Sequence, residues 1–352
     1  MIGQFRACIC AAILTFAPTV ATAQAPDPAT VTLSASENRE VLLSLAKVLR
    51  ERFAFRARGE AAAREIESLE RRGVFREART AAELMALIDA RVTPLVNDRH
   101  FRVRYVGPHV LAGFSEAPAS AEEVAAFHEE IRLRGGEIPD VRWLAGNVGY
   151  LRINMFFDAP PSAEKLAAAM GMLADTSALI IDVRGTPGGE PAGVAMVIGH
   201  LVAERAATVR VEDPVNPALS RTFHAEPRTP AYVGKPVYVL MDGDTGSGAE
   251  EFVYDLKAMR RATLVGTTTS GAATPGGYRP LAAGMVAFIP MQIVSNAVTG
   301  ANWEGVGVKP DVEVPPEQAL ERAHRLALEA ILKDAQGLRR AIAEEGLASL
   351  KP

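Results

Sequence analysis

Apolar positions along this chain follow two different periods. From about residue 37 to about residue 110 they recur at helical spacing. Leu42, Leu45 and Leu49 share one face, Ile66 and Leu69 another, and Thr80 with Glu83 forms a capping-box pair ahead of Leu84, Leu87, Ile88 and Val92. The polar stretch Asn97-Asp98-Arg99-His100 closes this region, and Phe101-Arg102-Val103-Arg104-Tyr105 alternates as a strand does. A polar helix is expected around Ala121 to Leu133. Beyond it, short β-branched runs alternate with helical ones. Val148 to Ile153, Ala178 to Val183, Pro236 to Met241 and Thr263 to Val265 read as strands. Ala163 to Leu173, Ala192 to Val202 and the stretch carrying Phe252, Val253, Leu256 and Met259 read as helices, and a last helical run begins near Glu317. Strand-helix-strand units need crossover connections, so this pattern predicts an α/β class with a mainly parallel sheet covered by helices.

The same pattern suggests boundaries. Residues 37–110 form a small helical domain, 111–140 a connecting helix and linker, 141–335 the α/β core and 336–352 a helical tail. The N-terminus changes the picture further. Arg6 precedes an apolar run from Ala7 to Val20, and Ala21-Thr22-Ala23 supplies small residues where a signal peptidase reads, so residues 1–23 are expected to be an export signal and 24–36 a linker. A membrane anchor or buried N-terminal helix is the rival reading, but about 14 apolar residues are few for a bilayer span. The expected location is periplasmic or secreted, with no stable membrane insertion after cleavage. Both cysteines, Cys8 and Cys10, lie inside that signal. Disulfides, thiolate catalysis and cysteine-ligated metals are therefore not expected in the mature chain. At 352 residues the chain can build one sizeable core plus a small accessory domain. The net charge of −4 is spread over intermixed acids and bases, which argues against a nucleic-acid partner.

Two turns carry candidate chemistry. Thr245-Gly246-Ser247-Gly248-Ala249-Glu250-Glu251 puts a hydroxyl between a buried strand and a helix. There the first free N–H groups of the helix favour an alkoxide or a neighbouring oxyanion, and the flanking glycines admit a substrate carbonyl. Ser247 as a plain helix N-cap is the competing reading. Asp182-Val183-Arg184-Gly185-Thr186-Pro187-Gly188-Gly189 occupies an equivalent position after another strand. Turns of this kind from one parallel sheet meet at its carboxyl edge, so one can present a nucleophile and the other an oxyanion donor. A phosphate loop is the alternative, though neither the dinucleotide glycine spacing nor a Walker lysine is present. Among six histidines, His128, His200 and His324 sit in helical patterns, whereas His100 stands beside Asp98 at a helix exit. A lysine base is the other physical option, but no lysine occurs between Lys257 and Lys309. Glu304, in the glycine-broken loop Asn302 to Asp311, could orient an imidazole or simply pair with Lys309 at the surface.

Taken in order, Leu144 to Leu151, the Asp182 to Gly189 turn, the Ser247 turn and Asn302 to Asp311, together with Asp98 to Val103, resemble the C-terminal processing (tail-specific) serine peptidase family. The resemblance covers about residue 37 to about residue 330. It is closest to the branch similar to interphotoreceptor retinoid-binding protein and the tricorn protease core. It implies a crotonase-like β-β-α spiral core, with Ser247 as nucleophile, His100 as base and Glu304 as a more distant carboxylate. Gly248 and one of Gly188 and Gly189 are implied as oxyanion donors, with a peptide or protein as substrate and no metal or organic cofactor. Three departures qualify it. Ala272 stands where tail-specific relatives carry a lysine base, which disfavours a serine-lysine mechanism. Only about 47 residues separate His100 from Val148, too few for an inserted PDZ domain, and Arg99 stands where the tricorn-like arrangement has a serine. A non-enzymatic module binding apolar ligands or peptides shares the resemblance and is the rival function.

Overall fold

The computed structural model describes residues 26–114 and 118–350, so the expected export signal lies outside the described residues. Two compact units divide the chain. The first takes residues up to Val124 together with Glu212–Ser220 and Thr274–Ile293; the second takes Ala125–Val211, Arg221–Ala273 and the remainder from Val294.

In the first unit, helices Ala35–Arg52 and Arg56–Arg71 pack side by side. Val41, Leu42, Leu45 and Leu49 are fully buried, as the helical spacing predicted, against Ala62, Ala63 and Ile66. Each large apolar side chain buried this way contributes about 1.5–3 kcal/mol. Ser34 caps the first helix reciprocally with Glu37. The expected box at Thr80 forms by half. Thr80 Oγ1 accepts the Glu83 N–H at 3.2 Å, but the Glu83 carboxylate takes the Arg79 N–H, one residue earlier, at 2.6 Å. A three-stranded antiparallel sheet completes the unit, with Met285–Pro290 between Arg102–Tyr105 and Gly276–Pro280. Its central strand alternates. Met285, Ala287 and Ile289 join the helices, and Val286 and Phe288 pack with Tyr278 on the opposite face.

The second unit is the mainly parallel α/β sheet that the run of strands and helices predicted. Six strands lie in the order Val312–Glu313, Thr263–Gly266, Val237–Met241, Ala178–Asp182, Val148–Arg152 and Asp140–Leu144. The first four pairings are parallel, and the last strand is an antiparallel edge. Alternate residues serve opposite layers. Leu179, Ile181, Val237, Val239 and Met241 face one core with the helices Pro160–Met172, Pro191–Gly199 and Gly248–Ala258. Ala178, Ile180, Tyr238 and Leu240 face the other, under Ala319–Asp334. Burial on both faces is why these strands read as unbroken apolar runs. Among the described residues no helix is long and apolar enough to cross a membrane.

Candidate active site

The central strands Ala178–Asp182 and Val237–Met241 pair directly, and both run into turns at the same edge of the sheet. Cross-bonds fasten those turns together. The Gly246 N–H donates to the Thr186 carbonyl at 2.9 Å, the Gly185 N–H to Asp242 Oδ1 at 2.9 Å, and Thr245 Oγ1 to the Val183 carbonyl at 3.0 Å. Their closest approach leaves no room for side chains. A Cβ on Gly188 would lie 2.7 Å from Ser247 Cβ, and one on Gly248 would lie 2.7 Å from the Gly189 carbonyl oxygen. Gly188 also has φ +134°, a region that L side chains avoid.

Ser247 has φ 50° and ψ −120°, an unusual backbone for a residue with a Cβ, and such geometry costs about 1–3 kcal/mol unless its surroundings impose it. The first-turn amides of Ala249, Glu250 and Glu251 bond the carbonyls of Gly246 and Ser247. A sharp strand-to-helix turn of this strained kind lifts a serine Oγ clear of the sheet edge. The Gly248 N–H, first of the helix, has no acceptor among the described residues, and neither do those of Gly188 and Gly189. All three amides therefore sit within the contact zone of the two turns.

Glu250 imposes this geometry, and it has no place among the site residues inferred from sequence. Its fully buried carboxylate accepts five hydrogen bonds: from the Ser247 N–H at 3.0 Å, Thr269 Oγ1 at 2.5 Å, Ser270 Oγ at 3.0 Å, the Gly271 N–H at 2.7 Å and the Ala272 N–H at 2.8 Å. Burial pushes its pKa above the ordinary carboxylate value while the donors pull the other way. The signal was present in the sequence, since Ser247 and Glu250 stand at capping-box spacing.

The segment clamped by Glu250 continues to Glu304. Glu304 Oε2 accepts the Ala273 N–H at 2.6 Å, Trp303 Nε1 donates to the Ala272 carbonyl at 3.0 Å, and the Gly305 N–H donates to the Gly271 carbonyl at 2.8 Å. The nearby Lys309 carbonyl accepts from Lys257 Nζ at 2.6 Å. The other turn is anchored by Asp182, which accepts from Tyr150 Oη at 2.9 Å, Arg152 Nη1 at 3.0 Å and the Arg184 N–H at 3.0 Å. Burial would raise the Asp182 pKa, but the bonds and charge of Arg184 hold it below the ordinary value.

His100 belongs to the first unit. Its ring stacks on Phe288 at 5.7 Å between centroids, and its backbone N–H donates to Asp98 Oδ1 at 2.9 Å. Asp98 thus holds the main chain. Its Oδ1 is 4.0 Å from His100 Nδ1, beyond hydrogen-bond reach, and Nδ1 has no hydrogen-bond partner among the described residues. Burial, with the Arg102 charge, pushes the imidazole pKa down to about 4, so the ring is neutral at neutral pH.

Residues 147–314, which include both turns and the Glu304 loop, match the model described as peptidase family S41. Over that stretch the chain is similar to the S41 peptidases. It is 28% identical over 171 residues to the carboxy-terminal processing protease CtpB of Bacillus subtilis (strain 168). That stretch spans 48% of this chain and only 34% of the relative. Solved structures extend the likeness in fold. The photosystem II D1 C-terminal processing protease superposes with a TM-score of 0.52 at 15% identity, covering 90% of this chain and 100% of that one. The tricorn protease gives 0.50 at 15% identity over 82% of this chain and 35% of its own. The S41 match contains every site residue inferred from sequence except His100.

Proposed function

We propose that this protein is an exported serine peptidase of S41 type that cleaves peptide bonds through an acyl-enzyme on Ser247. The observation that carries this reading is the strained Ser247 turn, held by Glu250 with unpaired amides of Gly248, Gly188 and Gly189 around it. In the proposed reaction His100 takes the Ser247 proton and Oγ attacks the substrate carbonyl. The Gly248 amide and one amide of the Gly188-Gly189 pair receive the oxyanion charge; one such donor is typically worth about 2.7–4 kcal/mol in the barrier. His100 then returns the proton to the leaving amine, and water clears the acyl group. Glu304 acts as the distant carboxylate of a serine-histidine-glutamate set, and Ala272 at the lysine position disfavours a lysine base. We further read the second unit as a crotonase-like β-β-α spiral, following the S41 resemblance.

Labelling with a fluorophosphonate probe tests nucleophile activation without requiring the natural substrate. Wild type should label covalently, with labelling lost in both Ser247→Ala and His100→Ala. Folded wild type that does not label would favour a module binding apolar ligands or peptides.

A further inference from the structure

The helix Gly248–Ala258 buries a second acidic group that the proposed chemistry does not use. Glu251 and Asp255 are four residues apart and so share one face of the helix. Glu251 is 3% exposed and Asp255 is fully buried. From the end of strand Ile293–Asn296, Asn296 Nδ2 donates to Asp255 Oδ1 at 2.7 Å. From strand Ala206–Glu212 comes Thr208, whose carbonyl lies 3.5 Å from the same Nδ2 and whose buried hydroxyl has no partner. Glu251 Oε1 and Asp255 Oδ2 also lack hydrogen-bond partners, and among the described residues no Lys, Arg or His pairs with either carboxylate. Two uncompensated buried anions on one helix face would be very costly, and neutralising one of them is the ordinary remedy.

We propose that Glu251 and Asp255 share a single proton, one carboxyl donating its O–H to the other's oxygen, and that this pair fastens the Ser247 helix to the Asn296 turn. The turn is well placed for that role. Asn296 Oδ1 accepts the N–H groups of Val298 and Thr299, and the chain runs from there directly into the Glu304 loop. Burial, together with the repulsion of Asp255, pushes Glu251 well above the ordinary carboxylate range, and burial carries Asp255 to about 8. The folded state therefore keeps a proton that the unfolded chain releases near pH 4. It follows that the stability supplied by the pair is greatest below that pH, declines as pH rises toward 8 and levels off once the proton has left to solvent. Only the consequence for Ser247 rests on the peptidase reading; the shared proton stands without it.

The test is thermal unfolding of the full chain from pH 5 to pH 9, comparing wild type with Glu251→Gln. The amide fits the site, donates a hydrogen bond and cannot ionise. Glu251→Gln should melt increasingly above wild type as pH rises to 8, by about 2–4 °C per pH unit, with no further divergence beyond. Asp255→Asn should show the same divergence and serves if the first variant does not fold. A gap independent of pH would overturn the proposal, as would a wild-type midpoint that stays flat from pH 6.5 to pH 8. So would a rise in the wild-type midpoint with millimolar calcium at pH 8 that Glu251→Gln lacks, since the pair would then be a cation site. Fluorophosphonate labelling in parallel separates the two readings. A divergent melting profile without labelling would sink the peptidase while leaving the shared proton intact.

Discussion

Glu250 and Glu251 are consecutive, equally buried and on the same helix, yet their surroundings are opposite. Glu250 collects five donors from the Ser247 turn and from residues 269–272, whereas Glu251 has an unpaired oxygen and another carboxyl one turn away. The contrast separates two uses of a buried acid. At the start of the helix, a carboxyl group that accepts five hydrogen bonds organises backbone N–H groups and holds a strained serine. In its middle, the same type of group can stay in the core only by keeping a proton. One end converts charge into geometry, and the other ties the local structure to pH.

The sharpest way to break this comparison is Glu250→Ala, which leaves several buried donors without acceptors at once. At about 1–3 kcal/mol for each group that stays unsatisfied, a loss of at least about 3 kcal/mol in urea unfolding is expected, with labelling of Ser247 abolished. Gly188→Ala comes next. Its Cβ would collide with Ser247 Cβ while φ stays in the glycine region, so labelling should fall about 10²–10³-fold, matching loss of an oxyanion donor, at a stability cost of about 1–3 kcal/mol. Labelling of Gly188→Ala at the wild-type rate would remove that turn from the site.

The smallest effect, and the one that sharpens the comparison most, is the pH dependence of His100. With its pKa near 4, the neutral base persists well below the usual histidine range, so the labelling rate should hold from pH 7 down to pH 5 and halve near pH 4. A midpoint at 6.5 would show an ordinary solvated histidine. The corresponding stability effect has the opposite sign to that of the carboxyl pair. A histidine kept neutral by burial loses stability as pH falls from 6.5 to 4, while Glu251 and Asp255 gain it. The melting difference between wild type and Glu251→Gln isolates the latter.

Much of the fold was legible in the linear pattern. The buried strands Ala178–Asp182 and Val237–Met241 are contiguous apolar runs, and Leu42, Leu45 and Leu49 lie on the predicted buried face. The two glycine turns were legible because positive φ and close backbone approach favour glycine. The strand Met285–Pro290 is also a contiguous apolar run, but its pairing with Arg102–Tyr105, far away in sequence, was not legible, because no local period reports such a partner. Nor was the role of Asp98, whose carboxylate accepts the His100 backbone N–H.

The sequence by itself determined the α/β alternation, the glycine-flanked serine, the absence of a lysine between Lys257 and Lys309 and the likeness to S41 peptidases. The first three follow from residue type and local spacing, and the likeness from the ordered segments that resemble that family. Tertiary structure alone decided which of two adjacent glutamates would hold the serine turn and which would be left facing Asp255. That choice depends on donors from residues 269–272 and 296. Chain folding brings those donors to the helix, and in a dry interior the presence or absence of each one decides whether a carboxyl keeps its proton.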